Sequence, residues 1–415
     1  MLSRTRSVTN ALEITSCDRC REDSIIHQPY SGRHLCGQHL ADSVRKRISK
    51  ALRAQLILPK TTSRRKSKDI DKEKIRMIKI LVAVSGGKDS ALMLNSLFDL
   101  IGSRPDVELI AGIVDEGIAG YRSPSIICAE QLCDTIGIRL ERISYTDLGF
   151  AEMDDVVNKM DSMAAKHTEA DGLLPCSYCG VFRRQGINAL AQRVGAEYIA
   201  IGHNLDDVAQ SVLMNMQRGD IDRTIRLAPH TDIPIEGLAP RIVPLRWIPE
   251  QEVHALAIFN GLQFHHGDCP YAAGALRQRS RDFIAALEAD IPGSRHGLVH
   301  SLDRLKELNS ELVEAKNAVG GQSMPLSELG NNVPVQSENS ESVELNNTGS
   351  AELGGNAVTE SGRSDTAEYG RSKTVASVPQ GAGRGSPVGR CQSCGEITGR
   401  KICQACSMKA WLEEE

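Results

Sequence analysis

The sequence predicts an α/β fold: a doubly wound parallel sheet with helices on both faces, flanked by a small cysteine-rich module near each end. Three observations predict it. From about Ile75 to Leu312, short β-branched runs alternate with amphipathic stretches of helical period. A glycine-rich turn, Ser85-Gly86-Gly87-Lys88-Asp89-Ser90, lies between the first apolar run and the first amphipathic one. Eight of the twelve cysteines fall into four Cys-x2-Cys pairs, and three of these pairs lie in the terminal modules.

The N-terminal module, residues 15–40, carries Cys17-x2-Cys20 and Cys36-x2-His39 across a gap of 15 residues. Three thiolates and an imidazole meet the tetrahedral demand of a closed zinc site. His34 is a second imidazole nearby, with poorer spacing. Residues 41–74 read as a basic linker, with ten Lys or Arg and no Asp or Glu between Arg45 and Lys68. Such a stretch is either a solvated, flexible connection or an arm for nucleic acid.

The main domain is expected over 75–319. Its strand candidates are IKILVAV (78–84), VELIAGIVD (107–115), IRLERISY (138–145), YIAIGH (198–203) and RIVPLRW (241–247). Between them, SALMLNSLFDLIG, GVFRRQGINALAQRVG and LDDVAQSVLMNMQRG have helical spacing, and the stretch from His296 to Val319 reads as a final helix. Residues 320–388 are rich in Gly, Ser, Asn and Glu and nearly empty of aromatics, so a disordered linker is expected there. Cys391, Cys394, Cys403 and Cys406 close the chain as an all-thiolate zinc module over 389–411.

Composition excludes several classes. No run of 18 uncharged apolar residues appears, so no membrane helix is expected. The first twenty residues lack the apolar core of a secretory signal, which makes the cytoplasm the default location. Cysteines kept reduced there bind metal rather than form disulfides. The net charge of −4 conceals the local basic stretch.

The loop has a chemical reading of its own. Gly86 and Gly87 let backbone N–H groups approach an anion, Ser85 and Ser90 add hydroxyls, and the following helix N-terminus favours negative charge. The spacing of its glycines and lysine is not that of the GxxxxGK[ST] nucleotide loop.

The string SGGKDS resembles the PP-loop of the ATP pyrophosphatase family. The resemblance implies a PP-loop, adenine nucleotide α-hydrolase-like domain. Such a domain cleaves ATP (with Mg2+) between the α and β phosphates and adenylates a carbonyl oxygen. VDEGIAGYR (114–122), CSYCGVFRR (176–184) and GHNLDDVAQSVLMNMQRGD (202–220) are similar to the tRNA 2-thiouridine synthetase branch with terminal zinc fingers. That branch includes archaeal and bacterial thiolation enzymes and the eukaryotic cytosolic wobble-uridine thiolase. The likeness covers 15–40, 75–310 and the final module. It implies an ATP site at Ser85, Gly86, Gly87, Lys88, Asp89, Ser90, Val114 and Gly202. Asp207, with Asp206 beside it, stands where the branch has a catalytic carboxylate, and Arg183 where it has a catalytic cation. As bare chemistry, the two aspartates also suit a helix N-terminus and the Arg183-Arg184 pair a solvated helix face.

Cys176, Cys179, Cys269, Cys128 and Cys133 remain once the terminal sets are removed. Cys128 and Cys133 read as small buried core thiols. By resemblance, Cys176, Cys179 and Cys269, which is followed by Pro270, hold a 4Fe-4S cluster with one open iron. A rival reading makes Cys176 and Cys179 a redox dithiol that passes a persulfide sulfur and ends as a disulfide. Spacing does not choose between iron and zinc, or between cluster and thiols. The implied function is a tRNA uridine 2-sulfurtransferase acting at position 34 or 54. The implied donor is sulfide or a thiocarboxylated ubiquitin-like sulfur-carrier protein, and a homodimer is common in the branch. The competing functions are tRNA cytidine thiolation, an amine- or amide-joining synthetase built on the same loop, and a tRNA-binding scaffold without catalysis. tRNA contacts are expected from the 45–68 stretch, the zinc modules, Arg183, Arg184, Arg277, Arg279 and Arg281.

Overall fold

The computed structural model describes residues 15–58, 76–230, 238–272, 276–318 and 389–414. One unit comprises Met1–Glu311 with Pro387–Glu415, and a second spans Leu312–Ser386. Of the second, only the end of a helix lies among the described residues. The predicted linker at 320–388 falls outside them.

The first unit begins with a small antiparallel hairpin, β1 (Ile26–Gln28) and β2 (Arg33–Leu35), followed by helix α1 (Gly37–Gln55). The strands of the main sheet are β3 (Ile78–Ala83), β4 (Val107–Asp115), β5 (Leu140–Ser144), β6 (Tyr198–Ala200) and β7 (Arg241–Ile242). All pair in parallel, in the order β5-β4-β3-β6-β7. Helices α2 (Lys88–Leu97), α3 (Arg122–Ile136), α4 (Met153–Lys166), α5 (Pro175–Val194), α6 (Leu205–Gln217), α7 (Ile221–Ile225), α8 (Glu250–Phe259), α9 (Leu276–Asp290) and α10 (Ser294–Ala318) follow in chain order. The chain closes on β8 (Gly389–Arg390), β9 (Ile397–Thr398) and α11 (Gln404–Glu413).

Parallel strands need both faces covered, and the side-chain alternation of β3 shows how. Ile80 and Val82 point into one core with α2, α3, α8 and the N-terminal module, including Leu35, Leu40, Val44 and Ile48. Leu81 points into the other core, with Ile110, Val114, Tyr145, Tyr178, Phe182 and the C-terminal residues Cys391, Cys403, Met408 and Leu412. Each terminal module therefore covers its own face of the sheet. The strand order turns at β3, between β4 and β6. In open α/β sheets such a switch point opens a crevice at the carboxyl ends of the strands.

Two expectations are corrected. The basic linker at 41–74 is helical through Gln55, because Leu40, Val44, Ile48 and Leu52 recur every four residues and bury one stripe of α1. Its Arg47 bonds Tyr30 Oη and the Trp247 carbonyl, each at 3.1 Å, and pairs with the buried Glu252. That residue fixes the module in place rather than waiting for an anion. Residues 59–75 of the stretch lie outside the described residues. The last expected strand, RIVPLRW, contributes only Arg241 and Ile242 to the sheet.

Candidate active site and metal centres

The glycine-rich loop leaves β3 at the switch point and delivers the N-terminus of α2 to the crevice. Gly86 takes φ +82°, and a Cβ there would lie 1.9 Å from the Ser125 carbonyl oxygen, so only glycine fits. Ser90 Oγ accepts from the Ser85 amide at 3.1 Å and donates to the Gly87 carbonyl at 2.9 Å, closing the loop on itself. His265 N–H donates to the Gly86 carbonyl at 2.8 Å. Gly202, after β6, approaches the Ser90 backbone closely enough that a Cβ would sit 3.4 Å from it. Val114 is buried at the end of β4, and its carbonyl accepts from Arg122.

Lys88 Nζ lies 2.8 Å from Glu250 Oε1 and 3.1 Å from Asp89 Oδ2. Burial works against its ammonium, but Asp89 and Glu250 raise it above its ordinary value. Burial also raises the Asp89 carboxyl, and Asp207 adds repulsion. Arg281 closes this group with 2.6 and 2.7 Å contacts to Glu250.

Asp207 and Asn204 form the capping box of α6: Asp207 N–H donates to Asn204 Oδ1 at 3.0 Å, and Asn204 N–H to Asp207 Oδ2 at 3.2 Å. Asn204 Nδ2 then donates to Asp89 Oδ1 at 2.8 Å, which ties the cap to the loop. Asp206 has both oxygens engaged, one by the Glu250 amide at 2.8 Å and one by Arg295 at 2.5 Å. It anchors α8 and α10, and of the two aspartates only Asp207 joins Asp89.

Helix α5 starts at Pro175, a residue suited to a first turn because it lacks the amide that would go unpaired there. Cys176, Cys179 and Arg183 follow at helical spacing along one side. Arg183 Nη2 contacts Cys179 Sγ at 3.2 Å, while its Nε donates to Glu116 Oε1 at 2.7 Å. Glu116 is 2% exposed and lies 2.6 Å from Arg122 Nε as well. Arg122 in turn donates to the Ser85 carbonyl at 3.0 Å. The buried Glu116 carboxylate holds the Arg183 guanidinium above its ordinary range. Tyr145 Oη donates to the Cys179 carbonyl at 2.9 Å. Glu116, Arg122, Tyr145 and Glu250 were not singled out from sequence. A carboxylate at the carboxyl end of an apolar strand was the available signal for Glu116.

Cys269 is half-buried, and Cys179, Arg183 and Glu116 all lie close enough to act on it electrostatically. Burial, with Cys179 adding to it, pushes its thiol up. Cys176 lies 3.8 Å from the carbonyl of Tyr271, two residues beyond Cys269. The three cysteines thus converge beside Arg183. Their sulfurs do not gather within the 4.8 Å that encloses each terminal set. Three cysteines supply the thiolate donors that an iron–sulfur cluster takes. Cys128 is half-buried and Cys133 buried, away from the crevice in α3.

The terminal sets are compact. Cys17, Cys20, Cys36 and His39 present ligand atoms within 4.8 Å of one another, as do Cys391, Cys394, Cys403 and Cys406. Zinc–sulfur bonds of about 2.3 Å give a tetrahedral edge of about 3.8 Å. The Cys20–Cys36 and Cys394–Cys403 sulfurs are 3.7 and 3.6 Å apart, and His39 Nδ1 is 3.4 Å from Cys17 and 3.3 Å from Cys36. The chemistry of both donor sets fits zinc. His34 stacks on His27 instead, with ring centroids 4.5 Å apart.

An anion loop at the switch point of a parallel sheet, joined through Arg122 and Glu116 to a cysteine face, defines a PP-loop nucleotide-binding protein. Residues 59–284 match the family description "PP-loop domain", and residues 16–41 match "2-thiouridine synthetase TtuA, N-terminal LIM domain". The chain is 34% identical over 303 residues to the "tRNA 2-thiolation protein NcsA" of Haloferax volcanii, covering 71% of this chain and 88% of that one. It is 30% identical over 295 residues to the bovine (Bos taurus) "Cytoplasmic tRNA 2-thiolation protein 1", covering 71% and 78%. Among solved structures, the "U34-tRNA thiolase NcsA from Methanococcus maripaludis with its [4Fe-4S] cluster" superposes with a TM-score of 0.57 at 32% identity, covering 70% of this chain and 88% of that one. The chain belongs to the PP-loop family of tRNA 2-thiolation proteins. Among the described residues, no helix is long and apolar enough to cross a membrane.

Proposed function

We propose that the chain is an ATP-dependent tRNA uridine 2-sulfurtransferase acting at wobble position 34. One observation carries this reading: the chain of contacts from the Ser85 carbonyl through Arg122, Glu116 and Arg183 to Cys179. It joins a phosphate-binding loop to a sulfur-bearing face, and a sulfur-for-oxygen exchange driven by ATP needs both. The 32% identical relative is named a U34-tRNA thiolase, which favours position 34.

In this mechanism the loop amides of Gly86 and Gly87, with Lys88, bind the ATP phosphates. Asp89 and Asp207 offer the hard oxygens that suit the accompanying Mg2+. The uridine O2 attacks the α-phosphorus, the O2–P bond forms, and the α–β bridging bond breaks to release pyrophosphate. N3 gives up its proton in this step. Hydrosulfide, free or released as water hydrolyses a carrier protein's thiocarboxylate to a carboxylate, then attacks C2. The C–S bond forms, AMP leaves with the C–O electron pair, and the sulfur's proton returns to N3. Arg183, half-exposed between Glu116 and Cys179, stabilises the negative charge that develops on phosphate. A 4Fe-4S cluster on Cys176, Cys179 and Cys269 would supply a soft iron position for sulfide. Zinc in the two terminal sets would be structural.

Arg183 Nη2 lies 3.2 Å from Cys179 Sγ, which also suits one competing route, in which a sulfane-sulfur donor loads a Cys176/Cys179 persulfide that ends as a disulfide. Iron content after anaerobic purification separates the two: about four irons for a cubane, none for a dithiol. The decisive assay incubates the protein with tRNA, ATP and sulfide and maps 2-thiouridine by nucleoside mass spectrometry. Absence of both 2-thiouridine and pyrophosphate release rejects the reading, and thiolated cytidine redirects it. The oligomeric state follows from sedimentation of the same preparation.

A further inference from the structure

Beside the active site, α5 and the C-terminal module enclose a second concavity. It has a volume of about 330 Å³ and is lined by Arg184, Gln185, Asn188, His230, Arg241 and Gln404, among others. Arg184 follows Arg183 by one residue, about 100° further round the helix. One helix therefore presents Arg183 to the reaction crevice and Arg184 to this cleft.

The charge in the cleft is unbalanced. Arg184 commits its Nε to the Gly180 carbonyl at 3.1 Å, and Arg241 commits one Nη2 to Asn188 Oδ1 at 3.0 Å. Glu396 lines the same space, but its Oε1 accepts from Asn188 Nδ2 at 2.8 Å. Partial desolvation lowers the Arg184 guanidinium, with Arg223 adding repulsion. Desolvation likewise brings Arg241 to about 10, with Arg184 adding repulsion and Glu396 opposing it. Two guanidiniums, Arg184 and Arg241, line the cleft against one carboxylate, Glu396, one of whose oxygens is already engaged. An anion between them relieves both costs, and guanidinium groups match phosphate oxygens in paired geometry.

We infer that the cleft between α5 and the C-terminal module binds the phosphodiester backbone of the RNA substrate, through Arg184 and Arg241. The inference rests on the tRNA reading above and adds where the strand runs: along α5, past the C-terminal module, towards Arg183. The module then has a role in substrate binding besides covering the sheet. His230 and Gln404 lie where they can add neutral hydrogen bonds to the same backbone.

The test uses the full-length protein loaded with metal. Affinity for tRNA is measured across a salt series for the wild type and for Arg184→Gln, Arg241→Gln and Arg184→Lys. Each glutamine variant is expected to weaken binding and to reduce the slope of log K against log salt by about one. Arg184→Lys keeps most of the slope, and ATP affinity is unchanged in all three. Zinc content and melting temperature confirm the fold. Arg184→Gln, at an exposed position, keeps the comparison valid should Arg241→Gln fold poorly. A wild type that binds with steep salt dependence, beside glutamine variants of unchanged slope, overturns the inference alone. A wild type that binds no tRNA overturns it together with the proposed function.

Discussion

Glu116 is the residue on which the site turns. It is a carboxylate 2% exposed, placed between two guanidiniums at 2.6 and 2.7 Å. Removing one partner of a buried ion pair costs about 3–5 kcal/mol, because the remaining charge loses its compensation. Arg183 is half-exposed and can turn to water, so Glu116→Gln is expected near the lower end, about 3 kcal/mol by chemical denaturation. Thiolation should fall further than stability accounts for, because Arg183 loses its hold beside Cys179. Activity retained at wild-type level in a folded Glu116→Gln protein would contradict that. Lys88 is a simpler case. Hydrogen bonds to charged groups contribute about 1.5–3 kcal/mol, so Lys88→Gln should weaken ATP binding roughly ten- to hundredfold. Its tRNA affinity should be unchanged when both are measured by equilibrium titration.

Helix α5 crosses β4 at Gly186, where a Cβ would lie 2.8 Å from Val114 Cγ2. Gly186→Ala forces the helix away from β4, whose end leads directly into Glu116. A cost of about 1–3 kcal/mol is expected in urea denaturation, as for other overpacked cores. A neutral result would mean that the helix–strand distance is softer than the contact implies. Two strands show what the sequence makes legible. β3 and β4 are buried on both faces, so they read as near-continuous apolar runs, and the loop between β3 and α2 stands out by composition. α1 was obscured because its four-residue apolar stripe lies inside a run of cations, and charge dominated the pattern. RIVPLRW reads as a longer strand than β7 because it stays apolar for packing reasons beyond the two paired residues. Glu116 is not legible in the sequence for another reason: its partner Arg183 lies 67 residues away, and only the fold brings them together. The terminal cysteine sets were readable because metal geometry forces short, regular spacing, whereas Cys269 is 90 residues beyond Cys179.

Across the whole molecule, two cysteine-rich modules fasten opposite faces of one sheet. Cys391→Ser should halve the zinc content and lower the melting temperature while leaving iron unchanged, as read by metal analysis and calorimetry. Acid should also loosen the C-terminal side through His230, whose Nε2 lies 3.1 Å from the Arg226 carbonyl. Burial, with Arg241 and Lys306 adding repulsion, pushes His230 down to about 4. Its folded value is below its unfolded one, about 6.5, so its contribution is complete above about pH 6.5 and declines as pH falls towards 4. His230→Gln should flatten the stability profile across that window, and an unchanged profile would contradict the assignment. The C-terminal module has one more consequence. Asn188–Glu396 at 2.8 Å and Lys159 to the Leu412 carbonyl at 3.2 Å, together with the shared core, hold it to α4 and α5 without using the covalent connection. Scission within 319–388 should therefore yield two polypeptides that co-elute and still thiolate. The segment from Gly389 onward becomes a detachable subunit, able to complement a truncated enzyme in trans.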